Sequence, residues 1–178
     1  MKLVREHIIF EKFTEDSDPI HDMGIGIEQL IIKWLNKYGI KDYEINSDFS
    51  IDVGFGSVDL ENRHLKTLPS YIQFNSVKGY FTVINNQLTS LRGCPKEVNG
   101  FFSCENNKLK SLEYAPKKIS GTFNCSHNLI SKINKLPDGI KIRVEVNDNA
   151  VKFRKEQIMK LLSNTQTGDS MGTIEIKL

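Results

Sequence analysis

The sequence predicts an α+β chain built on a short β-solenoid of about five turns with parallel strands, closed at either end by a helical cap. Three observations carry this expectation. The line GFFSCENNKLKSL, from Gly100, returns 21 residues later as GTFNCSHNLISKI, from Gly121. At the same spacing the apolar, glycine, asparagine and proline positions each fall into a column of their own. A helical apolar pattern also stands on either side of the repeats.

The columns define the turn. Val77, Val98, Ile119 and Ile140 form the first, and Gly79, Gly100 and Gly121 the second. Phe81, Phe102, Phe123 and Val144 follow, then Val83, Cys104, Cys125 and Val146. Asn86, Asn107, Asn128 and Asn149 come next, ahead of Leu88, Leu109, Ile130 and Val151. Pro95, Pro116 and Pro137 close the unit, and an irregular earlier copy runs through Val58, Leu60, Arg63 and Leu65. Alternating apolar residues make a short strand with one buried face. The asparagine sits where the chain leaves that strand, and its amide can pair backbone groups that the bend would otherwise bury unbonded. A single turn cannot bury its apolar face, whereas stacked turns can. Asn107→Ala is therefore expected to cost ~1–3 kcal/mol, and Glu105→Ala, outward on the same strand, within ~0.5 kcal/mol. Arg63 in place of the asparagine and Ile142 in place of the glycine mark the two ends of the stack.

Four segments result: residues 1–26 as leader or acidic tether, 27–55 as an N-terminal helix-strand cap, 56–152 as the solenoid, and 153–178 as a C-terminal helix and strand cap. In the first cap Leu30, Ile31, Trp34, Leu35 and Tyr38 keep helical spacing up to Gly39. DYEIN and DFSIDVGFGSVDL alternate with period two and read as strands. In the second cap FRKEQIMKLLS reads as a helix and TIEIKL as a closing strand.

Composition bounds the function classes. Hydrophobic content of 39% and charged content of 26% belong to an ordinary soluble chain, and no apolar run nears the ~18 residues of a membrane span. Three cysteines without a CxxC point to a reducing, cytoplasmic setting rather than to a disulfide framework or a zinc site. Residues 1–50 carry six Lys/Arg against ten Asp/Glu, and residues 51–178 eighteen against twelve. Lysines spread through repeat turns read as a solvated face, which argues against a nucleic-acid partner. Cys104 and Cys125 take the slot that holds valine in other turns, as compact core side chains; a redox pair across neighbouring strands is the alternative. Cys94, in a loop column, is the more exposed thiol on this pattern.

The line F-S-C-E-N-N-K-L from Phe102 resembles the core line L-x-L-x-x-N-x-L of the leucine-rich-repeat family, over about residues 56–153. The full unit is similar to short repeats of bacteriophage and bacterial proteins. MKLVREHIIFE, at the start, resembles the leaders that direct internal head proteins of tailed phages into the prohead, with cleavage after Glu11. An amphipathic helix over Leu3, Val4, His7 and Ile8 is the other reading.

No catalytic constellation emerges. Gly24–Gly26 lacks the preceding strand and third glycine of a nucleotide fingerprint. His7, His21, His64 and His127 share no metal-ligand spacing. Ser126 and His127 are neighbours in sequence, which alone is no dyad. The expectation is a non-enzymatic chain with no cofactor and no metal. Residues between the buried ones of each strand fall into outward rows: Tyr80, Phe101 and Thr122; Thr82, Ser103 and Asn124; Ile84, Glu105 and Ser126. They vary where the structural columns do not, and together they form the candidate protein-binding surface. The two aromatics either anchor a partner or stack on each other. Oligomeric state is not legible. The alternatives to a binding module are a structural protein packaged in a virion and an enzyme with a site in the flanks.

Overall fold

The computed structural model describes residues 26–164 and 174–178 of the chain. The leader, tether and Gly24 lie outside the described residues, so the leader reading has no structural counterpart here. Helix α1 (Ile27–Lys37) buries Ile31, Trp34 and Leu35 along one stripe, with Glu28 in its first turn and Lys37 in its last, each suited to the helix dipole. Gly39, at φ +66°, turns the chain out of it. Strands β1 (Tyr43–Ile45) and β2 (Ile51–Val53) then pair antiparallel, Glu44 opposite Asp52.

From there the chain winds a parallel β-solenoid of about 5 turns with two sheets. The strands are β3 (Val58–Asp59), β4 (Phe74–Val77), β5 (Phe81–Thr82), β6 (Glu97–Val98), β7 (Phe102–Ser103), β8 (Lys118–Ile119), β9 (Phe123–Asn124) and β10 (Arg143–Glu145). One sheet has the order β1-β2-β4-β6-β8. The other runs β3-β5-β7-β9-β10 and ends on β11 (Glu175–Lys177). Alternation in sequence points to this second sheet. The first is carried by the Val77, Val98 and Ile119 column, where β6 and β8 each bury a single residue beside exposed Glu97 and Lys118, so no alternation is written there. Register follows the repeat, with Phe81 beside Phe102, Phe102 beside Phe123, and Val77 beside Val98.

The interior is an aromatic spine. Phe81, Phe102 and Phe123 stack with ring centroids 5.7 and 6.1 Å apart. Phe74 meets Phe81 edge-on at 5.4 Å, and Trp34 of the cap reaches Phe74 at 6.3 Å. Helix α1 thus covers the open end of the stack, as the sequence predicts. At the other end α2 (Lys155–Ser163) inserts Ile158 and Leu162. Strand β11 adds parallel to β10, with Arg143 Nε donating to Glu175 at 2.6 Å.

Two columns hold the turns in register. Asn107 Nδ2 donates to the carbonyls of Val83, Cys104 and Glu105 at 2.9, 3.1 and 3.1 Å, while its Oδ1 accepts from Leu88 N–H at 2.9 Å. Asn86, Asn128 and Asn149 repeat the pattern one turn apart. The glycine column marks a close approach of backbones: a Cβ on Gly100 would lie 2.7 Å from the carbonyl oxygen of Gly79, and one on Gly121 2.7 Å from that of Gly100. Ile142 is accommodated because the last turn shifts, with Lys141 N–H donating to Gly121 O instead. Ahead of each ladder asparagine comes a left-handed residue, Asn85, Asn106, His127 and Asp148, at φ 54, 51, 53 and 51°. The short polar side chains at these positions tolerate that conformation.

Two expectations are corrected. Val151, placed in an apolar column, is exposed, because beyond Asn149 the chain leaves the stack for α2. Phe55 does not continue the alternation of β2; the strand ends at Val53, and the ring is 93% exposed between Gly54 and Gly56. Cys94 is the most exposed of the three thiols, as expected, at 8% against 0% for Cys104 and Cys125, and all three are buried. A turn in which Cys94 N–H donates to Leu91 O at 2.9 Å tucks the thiol into the core. All three cysteines are free, and burial pushes each thiol above its ordinary pKa. A thiol-specific reagent is therefore expected to label all three slowly in the folded chain and fast after denaturation, since both access and thiolate are suppressed. Fast labelling of any one in the native state, read by peptide mass, would remove it from the core.

Candidate functional site

The outward rows divide into a buried part and an open part. Tyr80 and Phe101, one turn apart and each directly after a column glycine, stack with ring centroids 4.7 Å apart and planes within 6°. Tyr80 is half-buried, and Phe101 remains 40% exposed. Stacking and exposure coexist: each ring covers one face of its neighbour and leaves an edge in solvent. Thr122 continues the row, half-buried. The glycines beside this ridge let successive backbones approach where a Cβ would not fit, and the rings that follow them stack more closely than those of the interior spine.

Thr82, Ser103 and Ser126 are not available to a partner: they are 4%, 4% and 1% exposed. The reason is local. Thr82 Oγ1 accepts from Ile84 N–H at 3.4 Å, Ser103 Oγ from Glu105 N–H at 3.5 Å, and Asn124 Oδ1 from Ser126 N–H at 2.9 Å. Asp59 does the same toward Glu61 at 3.0 Å. These side chains fold back onto their own strand in the manner of Asx and Ser/Thr turns instead of projecting. Ser126 Oγ donates to Asn147 Oδ1 at 2.7 Å. The second row is thus a structural column, and its composition of Asp, Thr, Ser and Asn was the signal for it.

Ile84, Glu105 and Asn124 are half-buried. Glu105 accepts from Asn124 Nδ2 at 2.9 Å and lies 3.8 Å from His127 Nε2, whose Nδ1 is 3.5 Å from Asp148 Oδ2. Glu105 therefore has partners of its own and is no inert comparison for Asn107; Lys108, exposed on the next bend, serves better. His127 sits in an outer polar ladder with Asn106, which donates to Asn85 Oδ1 at 2.8 Å. Ser126 is bonded away from His127, so the pair forms no nucleophile and base.

Phe55 is the residue sequence reasoning passed over. It directly precedes Gly56, whose carbonyl accepts from Gly79 N–H at 3.1 Å, so it shares the glycine corner with Tyr80. Lys78 Nζ lies 5.2 Å from the Phe55 ring centroid. The corner thus shows aromatic surface on both sides of the glycine column.

The first sheet carries an open groove of about 790 Å³ with Asp52, Asn75, Lys96 and Lys117 in its lining. Burial opposes ionisation of Asp52, but hydrogen bonds from Asn46, Ser76 and Asn75 outweigh it and hold the carboxyl below its ordinary value. With its oxygens so engaged, Asp52 joins β2 to β4 rather than standing ready as a base. Among the described residues no three His, Cys, Asp or Glu side chains are grouped to share a metal ion. No helix of the described residues is long and apolar enough to cross a membrane.

These features define a repeat solenoid with a 21-residue turn, two sheets whose stacked strands run parallel, and an aromatic corner. Comparison with family models, curated proteins and solved structures returns no match for this chain.

Proposed function

We propose that this chain is a non-enzymatic protein-interaction module that holds a partner protein on the aromatic corner formed by Tyr80 and Phe101, with Phe55 beside them. The observation that carries this reading is the stacked, part-exposed pair on a backbone locked by the asparagine and glycine columns. Rings already ordered by each other lose little freedom when covered. Large aromatics in such a setting are the usual anchors of protein interfaces. Ile84 flanks the ridge and completes the contact surface, with Glu105 at its rim.

The line shared with leucine-rich repeats supports a binding role, because stacked turns of that kind present extended surfaces to partners. The similarity to phage and bacterial repeats favours a phage-encoded protein working in the host cytoplasm or inside the virion. Neither nucleic acid nor a cofactor has a part in this proposal.

The test starts from a photo-reactive amino acid at position 101, with the same group at the exposed Lys110 as control. In cells that produce the protein, one discrete adduct is expected from position 101 and none from 110, and Tyr80→Ala in the same chain should diminish it. Adducts only from 110, or equally from both, would contradict the corner as the site.

A further inference from the structure

We propose that two copies of this chain associate through the open edge of β11, pairing antiparallel about a two-fold axis at Ile176. Strand β11 ends its sheet, so one side of it has no neighbouring strand among the described residues. Glu175 N–H donates to Ile142 O at 3.1 Å and Lys177 O accepts from Val146 N–H at 3.0 Å, both toward β10. Alternation along a strand then turns the N–H and C=O of Ile176 to the open side. Two copies meeting there exchange both bonds between their Ile176 residues.

The segment Ile174–Leu178 is complementary to itself in that register. Ile176 faces Ile176, Ile174 faces Leu178, and Glu175 faces Lys177 of the second copy. Charge on the outer face extends the match. Within one copy Arg143 bonds Glu175 at 2.6 Å, and Lys177 lies 3.7 Å from Glu145. Across four strands the row from Arg143 through Glu175 to Lys177 and Glu145 of the second copy alternates in sign throughout. The two-fold axis repeats the same row in reverse. Strand β11 is short and carries Lys177, two features that guard an edge against indiscriminate pairing, while it has neither proline nor inward charge to block a matched strand. The opposite charges select the antiparallel arrangement. Apolar side chains at the same end of the molecule, Ile142, Val151, Met159 and Leu178, are exposed and available to be covered. Another strand would satisfy the edge alone; only a second copy also supplies the mirrored charges.

Sedimentation velocity over a concentration series tests this on the full chain. The parent protein is expected to form a concentration-dependent dimer. Glu175→Lys and Lys177→Glu each set like charges opposite one another twice per interface, and each should weaken the dimer by roughly tenfold. An equimolar mixture of the two variants restores opposite charges at both cross-copy 175–177 contacts and should associate more tightly than either variant alone. Glu175 and Lys177 are themselves exposed, so circular dichroism should stay that of the parent. A parent that remains monomeric, a dimer indifferent to either variant, or a mixture that fails to recover would overturn the proposal.

Discussion

Replacing Asn107 with Ala is expected to destabilise the fold by about 3 kcal/mol, a fall in Tm of roughly 10 °C. The amide is buried and makes four bonds to backbone groups on two turns. Its three carbonyl acceptors keep a second donor each: Asn86 on Val83, Asn128 on Cys104, and the N–H of Asn85 on Glu105. Leu88 N–H has no such reserve, and a buried donor left without a partner carries the full desolvation cost. The missing amide also leaves a gap that the rigid turns on either side cannot close. Lys108→Ala, on the exposed bend one residue on, should stay within ~0.5 kcal/mol. Equal losses for the two, measured by thermal or urea unfolding, would mean that the ladder does not hold the stack.

Gly100→Ala comes next, at roughly 2–3 kcal/mol. The added methyl would meet Gly79 O at 2.7 Å and Gly79 C at 2.9 Å, both backbone atoms. Relief requires neighbouring turns to separate, which stretches the Gly100 N–H bond to Gly79 O, now 2.9 Å, and pulls apart the rings of Tyr80 and Phe101. Stability and partner binding should therefore fall together in this variant, whereas Asn107→Ala should affect mainly stability. An unchanged Tm would show that the corner has room the geometry denies.

Much of this architecture is legible in one sequence because the columns state the same constraint several times. The asparagine ladder, the glycine approach and the phenylalanine spine each follow from a residue type that recurs every turn. Both caps follow from apolar spacing, with α1 ending one residue before the sequence pattern does. What escapes has physical reasons too. The first sheet buries only one residue per turn in β6 and β8, which leaves no alternation to read. Thr82 and Ser103 occupy outward positions, yet their hydroxyls turn back to the backbone, which alternation cannot reveal. Cys94 is drawn inward by a turn set by local hydrogen bonding, not by pattern. Phe55 reads as core in any hydropathy scheme, and only the bend at Gly54 and Gly56 leaves it in solvent. Of the candidate site, the aromatic pair is legible and the width of the surface is not.

The central claim is that Tyr80 and Phe101 bind and do not merely brace the sheet. Affinity of the Tyr80→Ala/Phe101→Ala double variant for the partner captured at position 101 tests it most directly, alongside its melting curve. Bracing and binding differ in which quantity moves. A loss of at least about tenfold in affinity, with the chain still folded at the working temperature, is the predicted result. Charge reversal of Lys108 and Lys117, both exposed and off the ridge, should change affinity little. Unaltered affinity in the aromatic variant, with binding abolished by the lysine changes, would contradict the account and move recognition to the charged surface of the first sheet and the bends.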